Sequence, residues 1–371
     1  MPKLITTELA NVLGSLAEVL PFDPATESNY ASGDDLFLCA LGFEDRCLAL
    51  PGKLGEIGYK SKYSVYFRYK TNSDENSKNE DKLKLLLGSF SEISRPFEVE
   101  YGSLSHEVRS YLLSYIEQHQ CRPRITIDIS SFSSRLLLTI LSIAFSSDIS
   151  LRILYSEAAQ YRPTEEEFST NPEVWLNNDS LALESGIGEV QPSIENTGVQ
   201  IDHLPHCVFH FPNFKQARGN AILYAIDPSL VDGRKHDGIV WFIGEPPSNI
   251  NKWRTEAIKS INRIPDDSIC CYVSTLLYKD SLQSLESQYQ NYWKDYNISI
   301  TNLGSKMQTI AISLFCRYRT NVRVVEASPK EYNAKEYSSG FASYWKIDFG
   351  NTMNVMSRLN SIGQISLVTA T

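Results

Sequence analysis

NISITNLGSKMQTIAISLFCRYRTNVRVVEASPKEYNAKEY, residues Asn297 to Tyr337, decides the reading of the fold. Ile298, Ile300 and Leu303 make an apolar strand that ends at Gly304. Gly304-Ser305-Lys306 turns directly into a helix, whose apolar positions Met307, Ile310, Ala311, Leu314 and Phe315 recur at helical spacing. Val322, Val324 and Val325 form the next strand. A glycine turn followed by a hydroxyl and a lysine at a helix N-terminus suits an anion. The free N–H groups and the positive end of the helix dipole face whatever lies above the strand's carboxyl end.

Working outward, the same alternation fills the N-terminal half. Asp35 to Gly42 (DLFLCALG) is apolar without alternation, as expected of a parallel strand buried on both faces. Lys62 to Tyr69, Pro96 to Tyr101, Arg124 to Ile129 and Leu151 to Tyr155 read as further strands, with helices between them. Strands alternating with helices mean βαβ units and a parallel sheet. The first strand runs into Gly42-Phe43-Glu44-Asp45-Arg46, and charges there stand where open α/β sheets put their ligands. The same residues also read as a helix-capping cluster. The fourth strand runs into the hydroxyl-rich turn Ser130-Ser131-Phe132-Ser133-Ser134-Arg135.

Residues 1–33 read as an amphipathic helix and a linker, 34–165 as a first Rossmann-like unit, 166–237 as an irregular connector, and 238–371 as a second unit. In the connector, Lys215 and Arg218 near a helix start read either as an anion contact or as solvated cations. The second half is expected to open at GIVWFIG (238–244), with Glu245-Pro246-Pro247-Ser248 as its first turn. His203, His206 and His210 have spacings of three and four, but Pro205 and Pro212 interrupt and CVFHF reads as a strand, so no metal site is expected.

Composition narrows the classes. The formal charge of −9 argues against a broad nucleic-acid-coating surface. There is no apolar run near 18 residues for a membrane span and no basic-then-apolar leader. The seven cysteines form no CxxC pair and sit mostly in apolar runs, the pattern of reduced core thiols. The chain is therefore expected in the cytoplasm. No GxGxxG, GxxxxGKS, HExxH or GxSxG motif is present.

One stretch of each half, SSRLLLTILSIAF onward from Ser133 and GSKMQTIAISLFC onward from Gly304, overlays the other without a gap. Arg135 and Lys306, Arg152 and Arg323, Tyr161 and Tyr332, and Glu165 and Glu336 are each 171 apart, as in 306 − 135 = 171. The expected fold is thus α/β, two tandem Rossmann-like parallel-sheet units related by an internal repeat, with the turns around 130–135 and 302–309 facing one groove.

The segment ITNLGSKMQTIA resembles the Gly-Thr-Lys-type turn of CARF domains, Rossmann-like sensors of cyclic oligonucleotides. The repeat resembles SAVED domains, fused pairs of CARF-like units in bacterial antiviral systems. The resemblance covers the cores of both halves. It implies a non-catalytic sensor or accessory subunit that binds a phosphate-bearing nucleotide between the halves and signals to an effector protein in anti-phage defence, without a cofactor. It implies ligand contacts from Gly42, Glu44, Arg46, Ser130, Ser131, Ser134 and Arg135 in the first half. In the second half these are Asn302, Gly304, Ser305, Lys306 and Thr309. The first half departs from the pattern in lacking the turn glycine. Two alternatives remain: a nucleotide- or nucleoside-processing enzyme using Glu44, Asp45, Asp128 or Glu157 as acid or base, and a protein–protein scaffold of decayed Rossmann units.

Overall fold

A computed structural model of the chain describes residues 14, 23–24, 33–100, 104–119, 122–176, 184–231, 238–334 and 337–368. The helix expected within residues 1–33 falls outside them but for Gly14, as do Cys121 and Glu336. The chain divides into two compact α/β units.

The first unit holds residues 21–164 and 331–355. Its elements are β1 Asp34–Leu41, α1 Arg46–Glu56, β2 Ser61–Tyr69, α2 Glu80–Phe90, β3 Ser91–Val99, α3 Leu104–Gln118, β4 Arg124–Asp128, α4 Ser134–Ala144 and β5 Ser150–Ser156. The parallel strands lie in the order β3-β2-β1-β4-β5, a doubly wound arrangement. β1 is apolar throughout because both its faces are covered: Leu36, Phe37 and Leu38 have no exposed surface.

The second unit holds residues 165–330 together with 356–368. Its elements are α5 Glu165–Thr170, α6 Pro172–Leu176, β6 Glu184–Pro192, β7 His206–His210, α7 Gln216–Ile226, β8 Ile239–Glu245, α8 Trp253–Ile261, β9 Ile269–Ser274, α9 Tyr278–Tyr292, β10 Asn297–Thr301, α10 Lys306–Tyr318 and β11 Arg323–Tyr332. The sheet order is β9-β8-β7-β10-β11-β6. The pairs from β9 to β11 are parallel, so this is the same winding as in the first unit. All five apolar positions expected on α10 are buried.

Each sheet carries one antiparallel strand beside its fifth parallel strand. In the first unit this is β12, Tyr344–Asn351, on β5. In the second it is β6 against β11. Gly186 meets Lys330 while Ser193 N–H donates to the Val324 carbonyl, so the two strands run in opposite senses. β6 follows β5 in sequence but belongs to the second unit. β12 follows β11 but belongs to the first.

Three expectations are corrected. Residues 166–237 are not an irregular connector; they supply α5, α6, β6, β7 and α7. The central strand of the second sheet is β7, not the GIVWFIG strand, which lies second as β8. Glu245-Pro246-Pro247-Ser248 is therefore the turn after the second strand, and the true first turn is 211–215. β7 was hard to assign because it is five residues long, carries two histidines and is flanked by Pro205 and Pro212. Its central place comes from the pairs Cys207–Ile298 and Val208–Ile239, which are distant in sequence.

Candidate functional site

In the first unit the strand order reverses between β1 and β4, where doubly wound sheets place ligands. The two turns there touch. A Cβ on Gly42 would stand 3.1 Å from Ser131 Cβ and 3.3 Å from its Oγ, so a side chain there would press Ser131 back by a few tenths of an ångström. The Gly42 carbonyl accepts from Asn79 Nδ2 at 2.9 Å and from the Cys47 thiol at 3.3 Å. Burial pushes that thiol up to about 12, which leaves it a poor nucleophile at neutral pH.

Glu44 and Arg46 are both buried and form a forked ion pair. Arg46 Nη2 stands 2.8 Å from Glu44 Oε2, and Nε stands 3.1 Å from the same oxygen. Burial disfavours the Arg46 charge, but the Glu44 carboxylate and the Tyr161 and Tyr155 phenols hold its pKa above the ordinary arginine value. The Ser338 hydroxyl also donates to Glu44. Phe43 lies against the rings of Tyr332 and Tyr337, and Asn72 exchanges two hydrogen bonds with the Tyr332 backbone, at 2.8 and 2.9 Å. The turn makes no side-chain cap on α1, contrary to the capping reading, and it is partly covered by residues 332 and 337–338.

Among the described residues, two donors in these turns have no hydrogen-bond partner: Arg46 Nη1 and Ser131 Oγ, both buried atoms. So does the hydroxyl of Ser156, the last residue of β5. A buried donor left unpaired costs about 1–3 kcal/mol.

The other serines are committed or differently placed. Ser130 is fully buried; its hydroxyl donates to Asp128 at 2.5 Å and accepts from Ser156 N–H at 2.8 Å. The α4 cap is Ser133, which the sequence reading passed over: its Oγ accepts from Leu136 N–H, and its own N–H donates to Tyr69 Oη at 2.8 Å. Ser134 is the first residue of the helix, half-buried, and Arg135 follows it, buried.

The corresponding turn of the second unit is closed on itself. Ser305 caps α10 in a reciprocal box: its Oγ accepts from Gln308 N–H at 3.2 Å, and its N–H donates to Gln308 Oε1 at 2.8 Å. The Ser305 hydroxyl donates to the Thr275 carbonyl at 2.7 Å. A Cβ on Gly304 would lie 2.4 Å from Gln308 Oε1, so the glycine makes room for the box. Asn302 is buried, donating to Glu326 at 3.0 Å and accepting from Thr309 Oγ1 at 2.9 Å. Lys306, the first residue of α10, is half-buried.

Cap matches cap at 305 − 133 = 172, so the register of 171 shifts by one here. Lys306 corresponds to Ser134, and Arg135 to the buried Met307. The cation expected to repeat at the helix start is therefore not repeated.

In the true first turn of the second unit, Lys215 and Arg218 are buried and share Glu184, at 3.0 and 3.3 Å. They are neither solvated nor a simple anion contact. His203 is exposed, whereas His210 is buried against Thr301 Oγ1 at 2.9 Å. Among the described residues no group of three or more His, Cys, Asp or Glu side chains could hold a metal ion. None of the helices described is long and apolar enough to cross a membrane.

No family model and no curated protein matches the chain. Solved structures do match, among them a type III CRISPR defence DNA nuclease activated by cyclic oligoadenylate. It is 11% identical with a TM-score of 0.36, over 83% of this chain and 67% of that one. A likeness this distant carries no argument about function.

Proposed function

We propose that the chain is a non-catalytic sensor or accessory subunit that binds a phosphate-bearing nucleotide at the carboxyl edge of its first α/β unit. The observation that supports this most is the pair of unpartnered buried donors, Arg46 Nη1 and Ser131 Oγ, on the two turns that meet at Gly42. A phosphate oxygen supplies the acceptors they lack. The second-unit residues Asn302, Gly304, Ser305 and Thr309 serve the helix cap and its supports, so the second-unit set is not carried into this site. The anti-phage role and the effector partner follow from the CARF and SAVED resemblance of the turn and the repeat.

Acid–base chemistry is the weaker reading, because the two buried carboxylates among its candidates, Glu44 and Asp128, are occupied. Glu44 is held by Arg46 and Ser338, and Asp128 accepts from both the N–H and the hydroxyl of Ser130. Calorimetric titration with 5′-mononucleotides and cyclic oligoadenylates tests the proposal. Saturable binding with the nucleotide recovered intact is expected. Absence of binding by every nucleotide contradicts the sensor, and conversion of a bound nucleotide to product favours the enzyme.

A further inference from the structure

The first unit has a cavity of about 200 Å³ at the carboxyl ends of β1 and β2, lined among others by Leu41, Arg68, Tyr69, Ser73, Ser77 and Glu98. None of these residues belongs to the turns discussed so far. We propose that this cavity receives the base of the nucleotide, a planar heterocycle with donors and acceptors along one edge. The inference rests on the sensor reading above.

The chemistry of the walls favours a neutral ring over a second phosphate. Arg68 is already neutralised from two sides, by Glu98 at 2.6 Å and by Glu80 at 3.3 Å. Lys70, also on the wall, is held by Glu100 at 2.6 Å. No cation on this wall is in surplus and, unlike at Arg46 and Ser131, no buried donor here lacks a partner among the described residues, so an anion would gain little on leaving water. What the wall does present is a guanidinium beside a carboxylate, donors next to acceptors, together with the hydroxyl of Ser73 and that of Ser77, which donates to the Asp74 carbonyl at 2.8 Å and keeps its accepting side. Base edges are read by such alternating partners. Leu41 and Tyr69 add apolar and aromatic surface for a flat ring.

Position ties the cavity to the anion turns. Leu41 is the residue before Gly42. The Tyr69 hydroxyl accepts from the N–H of Ser133, the cap of α4 that follows Ser131. A base in the cavity therefore directs its sugar and phosphate toward the Gly42–Ser131 contact.

The test is calorimetry with AMP, GMP, CMP, UMP and inorganic phosphate on the intact chain. The variant is Ser77→Trp, which fills the cavity from an exposed position and spares the core. The wild type should prefer one base, and Ser77→Trp should weaken that nucleotide about tenfold or more while leaving phosphate unchanged, the loss expected when about one good hydrogen bond to a charged partner is removed. If Ser77→Trp weakens phosphate equally, Glu98→Gln decides. A changed base preference then supports the site, and an unchanged one overturns it. Four nucleotides bound alike, unaffected by Ser77→Trp, overturn the base site and leave the phosphate reading standing. If neither phosphate nor any nucleotide binds, the sensor reading itself fails.

Discussion

Phe43 and Phe214 hold the same place in the two units. Each stands in the turn after the central parallel strand, and the two are 214 − 43 = 171 residues apart. Each is packed against aromatic rings from the end of the other unit's fifth strand or from the chain beyond it. Tyr332 and Tyr337, with centroids 6.4 and 5.9 Å away, cover Phe43. Phe168, 6.3 Å away, covers Phe214. The antiparallel strands β12 and β6 are exchanged in the same way, so each unit is completed by chain beyond the other unit's fifth strand.

That relationship makes Phe214 a stability anchor. Phe214→Ala should lower the unfolding free energy by about 3 kcal/mol or more, since it empties a site packed by Phe168 and Trp253. Phe43 is half-buried, so Phe43→Ala should cost less. Urea denaturation followed by tryptophan fluorescence measures both. Equal and negligible costs would show that the exchanged rings are ornamental.

Gly304 is explained by Gln308. Gly304→Ala should destabilise by about 1 kcal/mol, the usual worth of a helix cap, because the new methyl displaces Gln308 Oε1 from Ser305 N–H. In a Gln308→Ala background the same substitution should cost almost nothing more. A double-mutant cycle reads the coupling. Additive costs would mean the glycine is needed for its backbone instead.

Burial holds His210 neutral, with its pKa lowered to about 3 from an ordinary 6.5. The unfolded chain takes up this proton below pH 6.5 and the folded chain does not until near pH 3. Stability therefore falls as pH drops through that window, by up to about 1.4 kcal/mol per pH unit. His210→Gln should flatten the slope of melting temperature against pH between about 6 and 4. An unchanged slope would assign the acid sensitivity to other groups.

Much of the fold could be read from local pattern. The turn at Gly304, the buried stripe of α10 and the unalternating β1 are short-range signals of spacing and apolarity. Ser133 was missed as the α4 cap because four serines in six residues satisfy the same pattern; only backbone geometry picks the one with extended φ and ψ. The exchange of β6 and β12 left no local trace, since strand partners are chosen across the chain. At the site, Gly42, Arg46 and Ser131 were legible as residue types at a strand end. That Ser130 is consumed by Asp128 while Ser131 keeps a spare hydroxyl depends on side-chain direction.

Ser131→Ala tests the central claim most directly. Its hydroxyl is buried without a partner, so removing it should leave the melting temperature unchanged or slightly higher. If the hydroxyl serves a phosphate, the same change should weaken the bound nucleotide about tenfold, the worth of one hydrogen bond to a charged group. Calorimetric titration of wild type and variant with the same nucleotide measures this. Tenfold weaker binding at undiminished stability is the expected result. Unaltered affinity, or a large fall in stability, would contradict the account.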